Sequence, residues 1–210
     1  GTLVNALLHH CGPEALAIGG ERRPGIVHRL DKETSGLVVF TRTWLAKQSL
    51  SSQFRAHTTH RRYYAIVHGV MTKDKTTFTS HLVEDRGDGV RGSWERTKSG
   101  RQGRKPPPNA QRAVTHVEVV ERLQGATLVA CRLETGRTHQ IRIHLSESGH
   151  PLVGERVYIR GFEGPEIAAP RLMLHAAELG FVHPATNRDV RFEREMPDDM
   201  KRVLASLRAT

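Results

Sequence analysis

Cysteine is scarce in this chain of 210 residues. Only Cys11 and Cys131 occur, in unrelated segments and without the CxxC-type spacing that could hold zinc or support redox chemistry. Disulfides persist in oxidising compartments and are rare in reducing ones. The scarcity of cysteine therefore favours a cytoplasmic protein, and that is the location we expect.

Long apolar runs are also lacking. No stretch approaches the roughly 20 consecutive apolar residues that a membrane-spanning helix requires. The first residues do not show the succession of basic, apolar and small residues that marks a signal peptide. We therefore expect a soluble, intracellular protein with no membrane partner.

Acidic residues are outnumbered by basic ones. The chain has 22 Asp and Glu against 32 Lys and Arg, a formal net charge of +10. Such an excess favours a polyanionic partner, because each phosphate that is neutralised by Lys or Arg releases condensed counterions. The composition thus favours nucleic-acid binding, with a basic but uninvolved surface as the alternative.

The 13 histidines do not follow the spacing of a metal site. His139 and His144 are five residues apart, whereas the histidines of a zinc-binding helix are four apart. His57 and His60 have no carboxylate or cysteine close to them in the sequence. We therefore expect no metal.

Apolar periodicity predicts one α+β domain. Short apolar runs bounded by turn residues predict strands at 26–27, 37–40, 63–67, 114–120, 127–133, 172–174 and 179–182. Helical spacing predicts helices at 1–12, 43–57, 138–148 and 200–207. Thr138 is the expected cap of the third helix and Gly149 the expected C′ residue that follows it, while Gln124-Gly125 is the expected turn of a hairpin. Since strands outnumber helices without regular alternation, we predict a mixed, mainly antiparallel sheet with flanking helices.

The segment at 86–112 differs from the rest in composition. It has eight Lys and Arg against Asp88 and Glu95, together with five glycines and three consecutive prolines at 106–108. This pattern predicts a flexible basic insertion in the domain.

The segment from His28 to Gly36 places Asp31 among cations in a loop between two predicted strands. Functional groups are commonly displayed on such loops, and we expect a carboxylate beside Arg29 to stay ionised. A solvated loop with local hydrogen bonds is the alternative for an arbitrary Asp.

Four segments of the chain resemble the RluA/RluD-type pseudouridine synthases. Residues 28–36 match the family signature His-Arg-Leu-Asp-x-x-Thr-Ser-Gly residue by residue. The strand at 61–69 is similar to the family's Tyr-x-Ala-x-Val-x-Gly pattern, and residues 136–145 resemble its Gly-Arg-Thr-His-Gln-Ile-Arg motif. Residues 171–176 and 181–184 look like its C-terminal strands. The resemblance covers the chain apart from the basic insertion, which departs from the family's usual connection.

The resemblance implies a catalytic domain at 1–210 that isomerises uridine to pseudouridine in structured ribosomal RNA, more often that of the large subunit, or in transfer RNA. Asp31 would be the catalytic carboxylate, which promotes cleavage of the N-glycosidic bond. Tyr63 would stack on the target base and handle a proton. Arg142 would pair with Asp31 through a charge-assisted, bidentate contact, where the alternative is a surface arginine of a helix.

The remaining residues of the motifs are expected to contact the substrate. Arg29 would support extrusion of the target nucleotide, because a stacked base cannot reach a pocket. The other expected RNA contacts are His28, Thr34, Arg137, His139 and Gln140. The basic insertion would contact the RNA backbone, with Trp94 as a stacking residue. An isomerisation neither gains nor loses atoms, so we expect no cofactor, and a monomer is our default.

Two departures from the family pattern affect these expectations. The family's Gly-Asp-x-x-Tyr-Gly stretch corresponds here to a segment, 154–159, with Glu155 in place of Asp and Ile159 in place of the final Gly, which puts the local turn in doubt. The usual N-terminal strand and an S4-type RNA-binding module do not precede the matching region, so we expect a fragment with an exposed sheet edge. A non-catalytic RNA-binding or ribosome-assembly protein and a uridine-directed glycosidase remain as alternatives.

Overall fold

A computed structural model describes residues 3–12, 18 and 25–208 of the chain. The strands in this part are β1 (Ser35–Gly36), β2 (His60–His68), β3 (Lys75–Val83), β4 (Gly92–Ser93), β5 (Gln111–Leu123), β6 (Ala126–Leu133), β7 (Leu174–Val182) and β8 (Asp189–Glu193). The helices are α1 (Leu3–Cys11), α2 (Trp44–Ala56), α3 (Lys98–Arg101), α4 (Gln140–Glu147) and α5 (Asp198–Arg208).

The strands form one mixed sheet in the order β1-β7-β2-β6-β5-β3-β4, and β8 pairs with β7. The pairing of β1 with β7 is parallel, and the pairings that involve the other strands are antiparallel. A single short turn joins β5 and β6, as an antiparallel hairpin allows. The prediction of an α+β fold with a mainly antiparallel sheet is confirmed.

The two faces of the sheet bury separate apolar clusters. Alternate residues of β2 point to opposite faces, so Tyr63 and Val67 pack in one cluster with Ile141 of α4, while Ile66 packs in the other. That second cluster includes Met200, Val203 and Leu204 of α5. The cavity described below lies on the face that carries α4.

Several predicted elements are present. The helix predicted at 43–57 is α2, whose first turn is capped by the Thr43 hydroxyl, which accepts from the N–H of Ala46 at 3.2 Å. The hairpin predicted around Gln124-Gly125 is β5 and β6, with Gly125 at φ +66°. The helices predicted near both ends are α1 and α5.

Other local predictions were wrong. The cap predicted at Thr138 does not form, because α4 begins at Gln140 after His139, which has a left-handed backbone conformation (φ 58°). The two strands predicted at 172–174 and 179–182 are replaced by one strand, β7, which begins only at Leu174 and runs unbroken to Val182, because the buried carboxylate of Glu178 is paired with cations instead of interrupting the sheet. The run at 37–40 forms only an isolated bridge between Phe40 and Ile26.

The segment at 86–112 has more secondary structure than the loop that its composition predicted. It contains β4, a 3₁₀ turn at Trp94–Arg96, α3 and the start of β5. The Glu147 side chain accepts from the N–H of Ser93 at 3.0 Å, and the Trp94 indole N–H donates to the carbonyl oxygen of Arg104 at 3.0 Å. These contacts with α4 and within the segment hold it in a defined structure, although its Gly and Pro content predicted a flexible loop.

Within the described ranges, no helix combines the length and the apolar character that crossing a membrane would take.

Gly36, at the end of the Asp31 loop, allows a test of how closely β1 approaches β7. Gly36 and Gly87 have similar backbone angles, φ +111° and +109°, but a Cβ at Gly36 would lie 2.2 Å from the carbonyl oxygen of Ala176, whereas one at Gly87 meets nothing within 4 Å. Alanine strains either position by about 1–3 kcal/mol, and only Gly36→Ala also disturbs the pairing of β1 with β7. We expect Gly36→Ala to lower the free energy of unfolding by about 2 kcal/mol more than Gly87→Ala in urea denaturation. Equal losses for the two variants would contradict this close approach.

Candidate active site

One cavity of about 350 Å³ lies between the loop before β1, the start of β2 and the segment that leads into α4. All nine candidate site residues from the sequence line it: His28, Arg29, Asp31, Thr34, Tyr63, Arg137, His139, Gln140 and Arg142. Its volume lies within the range of small-ligand sites, roughly 300–1,000 Å³. The fold thus brings three distant segments of the chain to one concave site.

Asp31 lies on a tight turn in the cavity wall. The N–H of Thr34 donates to the main-chain oxygen of Asp31 at 3.0 Å, which closes the turn. The carboxylate is 16% exposed, with Nη1 of Arg142 at 3.5 Å from Oδ2 and Nε2 of His139 at 3.9 Å from Oδ1. Both distances exceed a normal hydrogen bond. The carboxylate therefore has two basic side chains beside it but forms a close hydrogen bond with neither.

Arg142 is not the surface arginine of the alternative interpretation, since its side chain is only 11% exposed. The sequence predicted a bidentate contact with Asp31, but the bidentate partner of Arg142 is Glu155. Nε and Nη2 each donate to the Glu155 carboxylate at 2.7 Å. Burial opposes the charge of Arg142, but the hydrogen bond and charge of Glu155, together with Asp31, raise its pKa above the usual value. Arg142 is thus a permanent cation.

The turn at 154–158, whose geometry the sequence left in doubt, is built around Glu155. Its carboxylate has no exposed surface and accepts the backbone N–H groups of Arg156 at 3.0 Å and Val157 at 2.9 Å. Burial raises the pKa of Glu155, but the hydrogen bonds from Arg142 and from backbone N–H groups outweigh it and hold the pKa below its usual value. The sequence assigned Glu155 no role; its only signal was the departure from the family's Asp.

Tyr63 forms part of the floor of the cavity. Its side chain packs with Leu133, Ile141 and Leu174, and the residue is 8% exposed. Burial raises the pKa of Tyr63 to about 12; the Arg61 cation lowers it and the Asp31 carboxylate raises it. At neutral pH the ring therefore keeps its phenolic proton.

Arg61 is a site residue that the sequence analysis missed. It is 7% exposed, Nη2 donates to the carbonyl oxygen of Glu134 at 3.0 Å, and the guanidinium lies 5.8 Å from the Phe54 ring. Burial lowers its pKa from the usual value. A Cβ at Gly136 would lie 2.4 Å from Nη1, so the glycine of the Gly-Arg-Thr-His motif leaves room for this cation. Two consecutive arginines before Tyr63 were the available signal.

The residues around Asp31 differ in how free they are to meet a ligand. Nε2 of His28 accepts from the N–H of Val39 at 3.0 Å, and the ring stacks on Phe54 at 4.5 Å. Burial and then Arg61 lower the pKa of His28 to about 4, so the ring is a neutral support of the loop. Arg29 is exposed at the rim of the cavity. The buried hydroxyl of Thr34 has no hydrogen-bond partner among the described residues.

Gln140 holds the segment that carries Arg137 and His139. Its side-chain oxygen accepts from the Thr135 hydroxyl at 2.7 Å and the Arg137 N–H at 3.0 Å, and its nitrogen donates to Val114 and Thr115 at 2.9 Å each. These four bonds use the full capacity of the amide. The geometry therefore favours a supporting role for Gln140 over the direct RNA contact that we expected.

His144 continues this network into the core. Its ring is hydrogen-bonded to the Ser80 hydroxyl and the Thr115 hydroxyl at 2.9 Å each, and the residue is 3% exposed. Burial lowers the pKa of His144 to about 4, although Glu95 acts in the opposite direction. A neutral histidine thus links β3, β5 and α4 beneath the site.

Among the residues that the structure describes, no group of three or more His, Cys, Asp and Glu side chains is arranged to hold a metal ion.

Comparison with known sequences identifies similar proteins. Residues 13–147 match the family described as RNA pseudouridylate synthase. The ribosomal large subunit pseudouridine synthase D of Zymomonas mobilis is 44% identical over 98% of this chain and 63% of its own length. An uncharacterized RNA pseudouridine synthase of Bacillus subtilis is 43% identical over 99% of this chain and 63% of its own length. The chain thus spans less than two thirds of the length of these relatives.

A solved structure supports the same fold. The human RNA pseudouridylate synthase domain containing 4 superposes with a TM-score of 0.69 at 24% sequence identity, over 92% of this chain and 80% of that one. At this identity the likeness concerns the fold and not the substrate.

The neutral His144 predicts a pH dependence of stability. Its pKa is about 4 in the fold against 6.5 for the unfolded ring, so only the unfolded state takes up a proton between these values. Its contribution is therefore complete above about pH 6.5 and is lost as the pH falls towards 4, by up to about 3 kcal/mol. We expect His144→Gln to make the loss of unfolding free energy between pH 7 and pH 4.5 markedly shallower than in the wild type. The exposed His10 of α1 provides the control: His10→Gln should leave the slope unchanged, and a wild-type slope in both variants would contradict the assignment.

Proposed function

This chain belongs to the RNA pseudouridylate synthase family, in its RluA/RluD branch, and from this membership we propose that it isomerises uridine to pseudouridine in RNA with Asp31 as the catalytic carboxylate. The observation that supports this most directly is the convergence of all nine motif residues on one cavity, where the Asp31 carboxylate lies 3.5 Å from the Arg142 cation. Family members are isomerases, and we propose the chain as the catalytic part of a longer enzyme.

Large-subunit ribosomal RNA is the proposed substrate. The relative from Zymomonas mobilis is named for the large ribosomal subunit, and a synthase D of Neisseria meningitidis with the same name is 41% identical over 99% of this chain and 54% of its own length. The formal charge of +10 suits a polyanion. Transfer RNA is the alternative substrate, and we propose the cytoplasm as the location of the reaction.

The reaction breaks the bond between N1 of uracil and C1′ of ribose and joins C5 to C1′. C5 loses its proton and N1, which carried none while it was bonded to C1′, takes up a proton, so atoms and electrons balance without a redox group. Asp31 acts on the sugar as the glycosidic bond breaks, in a site where Arg142 and His139 occupy its two sides. The Tyr63 phenol, neutral at physiological pH, provides a surface on which the detached uracil stacks while it turns.

The rim and walls of the cavity suit an extruded nucleotide. A uridine stacked in a helix cannot reach the floor of the cavity, so it has to be turned out of the RNA. Exposed Arg29 contacts the RNA where the nucleotide leaves the stack, and the buried Arg61 cation offsets phosphate or uracil oxygen charge deeper in the wall. Exclusion of water by the bound nucleotide protects the reactive sugar from hydrolysis.

Tritium release from RNA that contains C5-labelled uridine tests the proposal. Formation of the C5–C1′ bond releases the tritium, and we expect Asp31→Asn to reduce release at least about 10³-fold because only the reactive carboxylate is lost. RNA affinity in a filter-binding assay should stay within a few-fold of the wild type. Ribosomal and transfer RNA pools are assayed separately.

The exposed Asp189 of β8 provides a matched control, since Asp189→Asn removes the same charge at a residue that does not line the cavity and should leave tritium release unchanged. RNA binding without release from either pool would favour a non-catalytic RNA-binding protein. Free uracil in place of a mass-neutral product would identify a glycosidase.

A further inference from the structure

The two oxygens of the Asp31 carboxylate face different partners. Oδ2 lies 3.5 Å from Nη1 of Arg142, and Oδ1 lies 3.9 Å from Nε2 of His139. Arg142 and His139 are in turn held by Glu155 and Tyr158, which belong to the same turn. The same short segment thus supports both neighbours of the carboxylate.

We infer that the 154–158 turn is the positioning element of the site: Glu155 fixes the guanidinium of Arg142, and the Tyr158 hydroxyl fixes the ring orientation and tautomer of His139. The inference rests on the proposed function, because it describes how Asp31 is prepared for its role. Glu155 and Tyr158 are positioning residues in this account, since they act through Arg142 and His139.

The Glu155 contact determines which edge of the guanidinium remains for Asp31. Nε and Nη2 of Arg142 form a two-pronged contact with Glu155 at 2.7 Å each, so Nη1 is the nitrogen that faces Oδ2 of Asp31. A bidentate contact with Asp31 would occupy lone pairs of the carboxylate that the reaction requires. Because Glu155 takes this contact instead, Asp31 has a cation beside it and keeps its oxygens available.

The Tyr158 contact determines the tautomer of His139. The Tyr158 hydroxyl lies 2.8 Å from Nδ1 of His139. Burial and the Glu155 charge raise the pKa of Tyr158 to about 12 against the effect of Arg142, so the phenol is a donor, and burial lowers the pKa of His139, so its ring is a neutral acceptor. If Nδ1 accepts, the hydrogen of the ring is on Nε2, the nitrogen that faces Asp31.

The gap of 3.9 Å between His139 and Asp31 fits this assignment. An N–H group pointing at the carboxylate is attractive, whereas the other tautomer would turn a lone pair towards it. Contacts of this kind are often long in free enzymes and tighten when substrate binds. His139 also has a strained, left-handed backbone conformation (φ 58°), which neighbouring contacts have to maintain.

The turn itself is fixed in place. Besides Arg142, the Glu155 carboxylate accepts the backbone N–H of Tyr158 at 3.3 Å, so Glu155 also determines where Tyr158 lies. A Cβ at Gly154 (φ +82°) would lie 2.0 Å from the carbonyl oxygen of Arg171, which shows how closely the turn abuts the strand region before β7. The Tyr158 ring packs with Leu82 and Ile143.

Tyr158→Phe removes the hydroxyl and keeps the ring in its packing. We expect ring-nitrogen NMR of the wild type, with the His139 signal assigned through a His139→Gln variant, to show a neutral ring with hydrogen on Nε2. Tyr158→Phe should shift the Nδ1 resonance and mix the two tautomers. Tyr64, on the opposite face of the sheet beneath Arg62, provides the control, and Tyr64→Phe should leave the His139 signal unchanged. Hydrogen on Nδ1 in the wild type, or an unchanged signal in Tyr158→Phe, would overturn the inference.

Kinetics with labelled RNA test the consequence for catalysis. We expect Tyr158→Phe and Glu155→Gln to lower kcat by about 10- to 100-fold, as small misplacements of reacting groups do, with the KM for RNA close to wild type. Tyr158→Phe should keep the melting temperature close to wild type, whereas Glu155→Gln should lower it, because the buried Arg142 cation loses its charged partner. Glu155→Asp, which restores a carboxylate, should regain most of the rate. Should Glu155→Gln fail to fold, Tyr158→Phe alone decides, and an unchanged kcat in that variant would refute the positioning role.

The two results separate this inference from the proposed function. A wild type without Asp31-dependent tritium release would refute the proposed function, while the His139 tautomer would still report on the turn. An active wild type whose kcat does not respond to Tyr158→Phe would leave the proposed function intact and refute the inference.

Discussion

The arrangement around Asp31 depends on the buried ion pair between Arg142 and Glu155. Its two hydrogen bonds of 2.7 Å join α4 to the 154–158 turn, and the remaining nitrogen of the guanidinium faces Asp31. A buried ion pair gains little net stability, because removing two charges from water offsets most of their attraction. Backbone N–H groups satisfy the rest of the Glu155 carboxylate. The pair is therefore better explained by the arrangement it imposes on Asp31 than by stability.

The sheet provides the rigid base for this arrangement. β2 lies between β6 and β7 in its centre and carries Arg61 and Tyr63 into the cavity wall and floor. A register shift next to Tyr63 marks where its pairing with β7 becomes irregular. Beneath the cavity, the side chains of Gln140 and His144 join α4 to the neighbouring strands through hydrogen bonds that leave them no free polar group. Asp31 thus lies on a loop, while Tyr63 and Arg142 lie on a strand and a helix that core contacts hold in place.

The ionisable groups of this basic chain differ in charge state and role because they differ in burial and in their neighbours. His28 and His144 have pKa values of about 4 because burial disfavours their charged forms, so they act as neutral supports. Arg142 keeps its charge because Glu155 and Asp31 are close to it. Arg29 stays exposed at the rim, where a phosphate can reach it. A net charge of +10 favours polyanions over the surface as a whole, whereas the buried and half-buried groups give the cavity its particular arrangement of charge.

The sequence by itself determined the elements whose pattern is local: the capped helix α2, the hairpin of β5 and β6, and the three separate motifs that contain Asp31, Tyr63 and Arg142. Periodicity and turn residues depend on neighbours in the chain, which is why they could be read directly. Tertiary structure alone decided that Glu155, not Asp31, receives the bidentate contact of Arg142, that Arg61 lies in the cavity wall, and that Glu178 sits within an unbroken β7. In each of these cases a buried charge is stabilised by groups that are distant in sequence, and no local pattern encodes such a partner.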